Sequence, residues 1–295
     1  MTNITYTPYN TMTRAALVRE AKSAWGVSSL LAKPDANPKL AKGEKQGVLS
    51  APLHLAPHNL SGYNVCPMAT QGCAAACLHT AGNPAYQSGK DRARIARTQL
   101  YFGNRRLFFA LLIAEIAAHE KAAKRKGMIA AVRLNATSDI RWESVRLITR
   151  GPNFSPIPET VFSLFPNVVF YDYTKIANRR NLPVNYHLTF SLADGNDAQA
   201  VDAFHNGLNV AVVFDTKRNK PLPSTFSLMT EQGGFDAQVI DGDKTDFRPS
   251  DGRGVIVGLR AKGDAIGDTS GFVRQAAPLD YSSQIELSKF VKEAA

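Results

Sequence analysis

Apolar positions recur at helical spacing between Thr13 and Trp25, where Leu17, Ala21 and Trp25 fall on one face and predict an opening helix that caps a larger body. Residues 32–47, AKPDANPKLAKGEKQG, have no period and predict an exposed linker. The apolar run Val48 to Leu55 predicts a strand that leads straight into a cysteine-bearing loop. Helical spacing returns from Ser88 to Lys126, with Ile95, Leu100, Leu107, Leu111 and Ile116 facing inward and a break expected at Gly103 and Asn104. Short apolar runs then alternate with polar stretches. Strands are predicted at Ile129 to Leu134, Val168 to Tyr171, Tyr186 to Phe190, Val210 to Phe214, Ala237 to Ile240 and Val255 to Leu259. Helices are predicted at Ile176 to Arg180 and Ala198 to Asn206. Such alternation specifies an α/β fold around a parallel sheet, open or rolled into a barrel.

The 295 residues, 44% of them hydrophobic, suffice for one domain of barrel size. The expected fold is therefore a TIM-like full or partial parallel barrel with an N-terminal helical extension. Its parts are an N-terminal helix and linker at 1–47, a barrel-like domain at 48–282 with a cysteine-rich metal loop at 56–82, and a C-terminal helix at 283–295. The first residues hold no apolar leader core, and no run of eighteen apolar residues occurs, so a cytoplasmic location without membrane insertion is expected. A net charge of +10 points to an anionic partner, nucleic acid or a phosphorylated metabolite ahead of lipid, or else to a solvated basic face. The oligomeric state is not specified.

All three cysteines, Cys66, Cys73 and Cys77, fall within twelve residues, in NVCPMATQGCAAACLHTAGN. An odd count with six and three intervening residues makes a poor disulfide framework and a workable three-point clamp for a soft metal. Three thiolates on a four-iron cluster leave one iron open to an exogenous ligand. A structural zinc site would take a fourth ligand from His54, His58 or His79. Unmetallated cysteines are the third reading. Pro67, Gly72 and the small residues 74–76 fit a tight loop entering a helical turn, with Cys73 and Cys77 on one face.

Polar residues follow the predicted strands: Asn135, Thr137 and Asp139; Asp172 and Lys175; Ser191 and Asp194; Asp215 and Lys217; Asp241, Asp243 and Asp246. The C-terminal ends of parallel strands converge on one rim, where such folds place their sites. Asp139, Asp172, Lys175 and Asp215 are the catalytic candidates, and Asn135, Thr137 and Ser191 the cofactor-binding ones. Helix caps and turns are the alternative for each acid, most of all for Asp194 and Asp197. The basic run on the long helix supplies Arg92, Arg94 and Arg97 as contacts to nucleic acid or phosphate, while Phe102, Phe108, Phe109 and Trp142 are assigned to the core. Neither a P-loop, a Rossmann fingerprint nor a serine-hydrolase elbow is present.

The phrase CPMATQGCAAACLHTAGN, the basic RARIARTQLYFGNRRLFF helix, RLNATSDIRWE and FYDYTK together resemble a phage family called "gene product eighty-eight", from about Val48 to Arg260. That family's layout is in turn similar to radical S-adenosylmethionine enzymes. The resemblance implies that Cys66, Cys73 and Cys77 bind a [4Fe-4S] cluster, that S-adenosylmethionine chelates the open iron, and that an electron donor drives its cleavage to a deoxyadenosyl radical. The cysteine spacing departs from the three and two residues usual in those enzymes, and NATSD stands where their Gly-Gly-Glu would fall. The leading expectation is an iron–sulfur enzyme of phage origin performing radical or redox chemistry on a nucleotide or nucleic acid. The rivals are a non-enzymatic, zinc-stapled binder of nucleic acid or a host factor, and a hydrolase or transferase that uses the acidic rim with a divalent metal.

Overall fold

Thr13 accepts a hydrogen bond from the Ala16 N–H, and Gly26, at φ 70°, ends the helix that begins there. This helix, α1 (Arg14–Trp25), follows a short strand, β1 (Asn3–Thr5). The computed structural model describes residues 3–5, 11–33, 38–81, 86–150, 156–230 and 233–276; the predicted C-terminal helix lies outside them. A second helix, α2 (Pro38–Glu44), occupies part of the expected linker. Burial of Leu40 at this helix, which packs on β2 (Val48–Pro52), outweighs the low local propensity.

After β2 comes the cysteine segment with its one-turn helix α3 (Gln71–Ala75), then α4 (Gln87–Gly103) and α5 (Arg105–Arg125). The break between α4 and α5 falls where the sequence places it: Asn104 caps α5 through the Leu107 N–H, and Gly103 lies so close to the Trp25 ring that no side chain fits there. Next come β3 (Ile129–Arg133), β4 (Arg146–Arg150), β5 (Pro156–Glu159) and α6 (Val161–Leu164). The remainder is β6 (Val169–Thr174), β7 (Tyr186–Ser191), α7 (Asp197–His205), β8 (Asn209–Phe214), β9 (Thr225–Thr230), β10 (Gly233–Asp241), β11 (Ile256–Arg260) and β12 (Val273–Arg274). Residues 176–180 form no helix, against expectation; Asp139 holds the Lys175 N–H, and Arg179 turns into a buried ionic cluster.

The architecture is mixed α/β with a mostly parallel central sheet of nine strands. Its order is β2-β3-β6-β7-β8-β11-β10-β9, with β12 also beside β8, and among the described residues only β9 runs antiparallel to its neighbour in this sheet. A small sheet, β1-β4-β5, stands apart. Strand alternation sorts the core into two faces. Leu49, Ala51, Val132 and Phe170 join the core that α1 and α5 also line, whereas Val48, Ala131 and Tyr171 face Phe247, in the segment after β10. That segment folds over the second face: Asp246 bonds Arg133 at 3.2 Å and the Tyr171 hydroxyl at 3.1 Å. Phe108, Phe109 and Trp142 are core residues as expected, whereas Phe102 stacks on Tyr63 at the surface. Among the described residues, no helix is long and apolar enough to cross a membrane.

Candidate functional site

Because β2, β3, β6 and β7 are parallel, the loops leaving their C-terminal ends meet on one rim. There they border a cavity of about 200 Å³, with Cys66, Cys73 and Cys77 in its wall. Asn135, Thr137, Asp139, Lys175 and Ser191 line the same cavity.

Distant groups shape the cysteine loop. Thr70 caps α3 at the Cys73 N–H, 3.1 Å away. Asp194, from the loop after β7, accepts the N–H groups of Gly72 and Cys73 at 3.0 and 3.1 Å and also the Thr70 hydroxyl. Although burial acts to raise it, those hydrogen bonds hold the Asp194 carboxyl below its usual range. A side chain on Gly72 would strike Asp194 and Ser270. Cys66 is fixed by a hydrogen bond from its N–H to Asn64, and its sulfur accepts the His58 N–H at 3.4 Å. His58 adopts φ 47°, a conformation rare for a residue with a side chain, at the turn that aims this N–H. All three thiols are free of disulfides. Burial pushes Cys66 up to about 12 and Cys77 upward too, while Lys175 and Arg94 pull Cys77 the other way.

The strand-end residues divide by task. The Asn135 side chain is used up in local hydrogen bonds to Ser138, Ile140 and Trp142, so it knots the loop after β3. Thr137 donates its hydroxyl to the Leu55 carbonyl, and its own carbonyl faces the Cys66 sulfur. Asp139 accepts the Lys175 N–H at 2.8 Å and lies 3.6 Å from Arg179; burial raises its pKa. Lys175 donates to the Ser191 hydroxyl at 2.8 Å and has no carboxylate partner for its ammonium among the described residues. Asp172 is elsewhere. It points to the helix side of β6, fully buried, and accepts the Asn135 N–H and the Tyr186 hydroxyl. Asp215 borders a second cavity and accepts the Ala276 N–H.

The basic run of α4 is not one exposed stripe. Arg92 is exposed, but Arg94 is buried and donates to the His79 carbonyl and to Asp91, and Arg97 donates to the Ser29 carbonyl. Two of these arginines thus serve internal contacts, and Arg94 holds the far side of the cysteine loop. Of His54, His58 and His79, the last lines the thiol cavity, with Nδ1 unbonded. His54 is kept neutral, with its pKa lowered to about 3 by burial and by the charges of Arg94, Arg133 and Arg97.

The family model described as Gene product 88 matches residues 29–276, which contain this whole rim. The chain belongs to the Gene product 88 family. No curated protein and no solved structure matches it. In this Gene product 88 chain three thiols free of disulfides border one cavity, with an N–H donor to one sulfur and cations acting on another. Among the described residues, no three Cys, His, Asp or Glu side chains are placed to hold a metal ion together. Sequence reading missed Asp194 as the clamp of the cysteine helix and Arg179 as the ionic hub, because both act across more than thirty residues of chain.

Proposed function

We propose that this chain is an iron–sulfur enzyme of phage origin, acting in the host cytoplasm on a nucleotide or nucleic-acid substrate. The carrying observation is the shared cavity: Cys66, Cys73 and Cys77 line it together with the Lys175–Ser191 pair. The three cysteines would hold a [4Fe-4S] cluster, which when bound supplies one-electron transfer, fed by an electron donor, and an iron open to an outside ligand. The His58 N–H and the nearby cations suit thiolate sulfurs, whose buried thiols must release protons on metal binding. Lys175, with no carboxylate of its own among the described residues, is the group that would hold the carboxylate of S-adenosylmethionine, and Ser191 steadies its ammonium. Asp139 positions the Lys175 backbone. The inner face, over which Asp246 reaches from beyond β10 to Arg133 of β3, supports reading the sheet as a partial barrel wall.

Protein purified without oxygen should carry about four irons per chain with matching sulfide and a broad visible absorption. Cys66→Ala should lose both. Lys175→Met should keep the iron and lose binding of S-adenosylmethionine in equilibrium dialysis. A colourless protein with one zinc per chain would replace this reading with the zinc-stapled binder, for which His79, with its unbonded Nδ1, is the available fourth ligand.

A further inference from the structure

A second and larger cavity, about 740 Å³, opens at the C-terminal ends of β8, β10 and β11. Six cations border it: Lys42, Lys217, Arg218, Lys244, Arg260 and Lys262. Three carboxylates stand among them, and each is engaged. Arg260 bonds both oxygens of Asp241, at 3.0 and 3.1 Å, and reaches Asp243 at 3.2 Å. Lys262 pairs with Asp243, and Asp215 accepts the Ala276 N–H. Lys217, Arg218 and Lys244 have no carboxylate partner among the described residues, so the cavity keeps a surplus of positive charge in a concave wall that focuses its field. Arg260 is also anchored on the Lys220 carbonyl, at 2.9 Å, which fixes its fork in place.

We propose that this cavity is a phosphate-binding site that takes the phosphate of a nucleotide or of a nucleic-acid strand. Its volume exceeds what one phosphate fills and leaves room for an attached nucleoside. Three chain segments border both cavities: Val213 and Asp215, Asp246 and Lys244, Leu259 and Arg260. A ligand anchored here by phosphate therefore extends toward the cysteines. That last step rests on the proposed function; the binding site itself does not.

Binding of inorganic pyrophosphate by calorimetry, and of a labelled single-stranded oligonucleotide by anisotropy, tests the site, with iron measured on the same preparation. Lys217→Ala, Arg218→Ala and Lys244→Ala combined should weaken binding at least tenfold. For the oligonucleotide, the slope of log affinity against log salt should fall in magnitude by about 2. The charge-matched control Lys121→Ala, Lys124→Ala and Arg125→Ala, on the exposed face of α5, should bind as the parent does. Pyrophosphate binding without oligonucleotide binding supports the site and assigns it to a small phosphate ester; oligonucleotide displaced by pyrophosphate supports it and assigns it to a strand. Equal weakening in both triple variants, or a parent that binds neither probe, overturns the proposal. An iron-free preparation that still binds leaves it standing while the cluster reading falls.

Discussion

Asp172 illustrates how one position out of phase changes a residue's role. Tyr171 and Tyr173 face the inner side of β6, so the residue between them faces the helices, beside the core that holds Phe170. The parity of FYDYTK carries this information, and reading strand ends without parity places Asp172 on the rim. Burial there raises its carboxyl to about 7, opposed by Arg133 and by the hydrogen bonds from Asn135 and Tyr186. An unfolded aspartate titrates near ~4. Between those values the folded chain holds a proton that the unfolded chain has lost, so stability falls as pH rises from about 4 to about 7. Asp172→Asn should flatten that part of the profile in urea unfolding, by up to about 4 kcal/mol across the window at ~1.4 kcal/mol per unit. Parallel profiles for parent and variant would contradict it. Lys175, just past β6, and Ser191, at the end of β7, by contrast lie in the register that turns them into the cavity, and that placement is legible from position alone.

Legibility at the level of elements follows burial. The strands β2, β3, β6, β7, β8 and β11 are short and buried on both faces, so hydrophobicity marks them to within a few residues. The edge strand β9, TFSLMT, is largely exposed and polar at alternate positions, and β4 and β1 belong to a small separate sheet; neither kind leaves an apolar run to find. The cysteine loop was legible as a clamp from its thiols, but Asp194, its external cap, was not, since nothing local links residues 72 and 194. Gly103, expected only to break a helix, is also a contact: α1 lays Trp25 directly on it. Gly103→Ala should therefore cost about 1–3 kcal/mol by overpacking, measured as a lower denaturation midpoint, although alanine is the better helix former. A stabilised variant would show that α1 and α4 separate easily.

For the whole molecule, the site is built from pieces far apart in sequence: the cysteines, three strand ends and the segment after β10. The proposed metal group on Cys66, Cys73 and Cys77 would bind the folded chain in preference to the unfolded one, so its removal by an iron chelator under reductant should lower the melting temperature, and Cys66→Ala should melt like the stripped parent. Equal melting of loaded and stripped protein would contradict preferential binding of the group by the folded chain. Arg94 and Arg97 of the long helix are used inside the fold, while Lys217, Arg218 and Lys244 border the second cavity at the other end of the rim. The Asp194 clamp also sets an order of events during synthesis. Cys73 leaves the ribosome more than a hundred residues before the carboxylate that clamps its helix, and a loop that long closes slowly. Until the loop after β7 is in place, the cysteine helix lacks its Asp194 clamp, so the proposed cluster would have to be delivered to a nearly finished sheet.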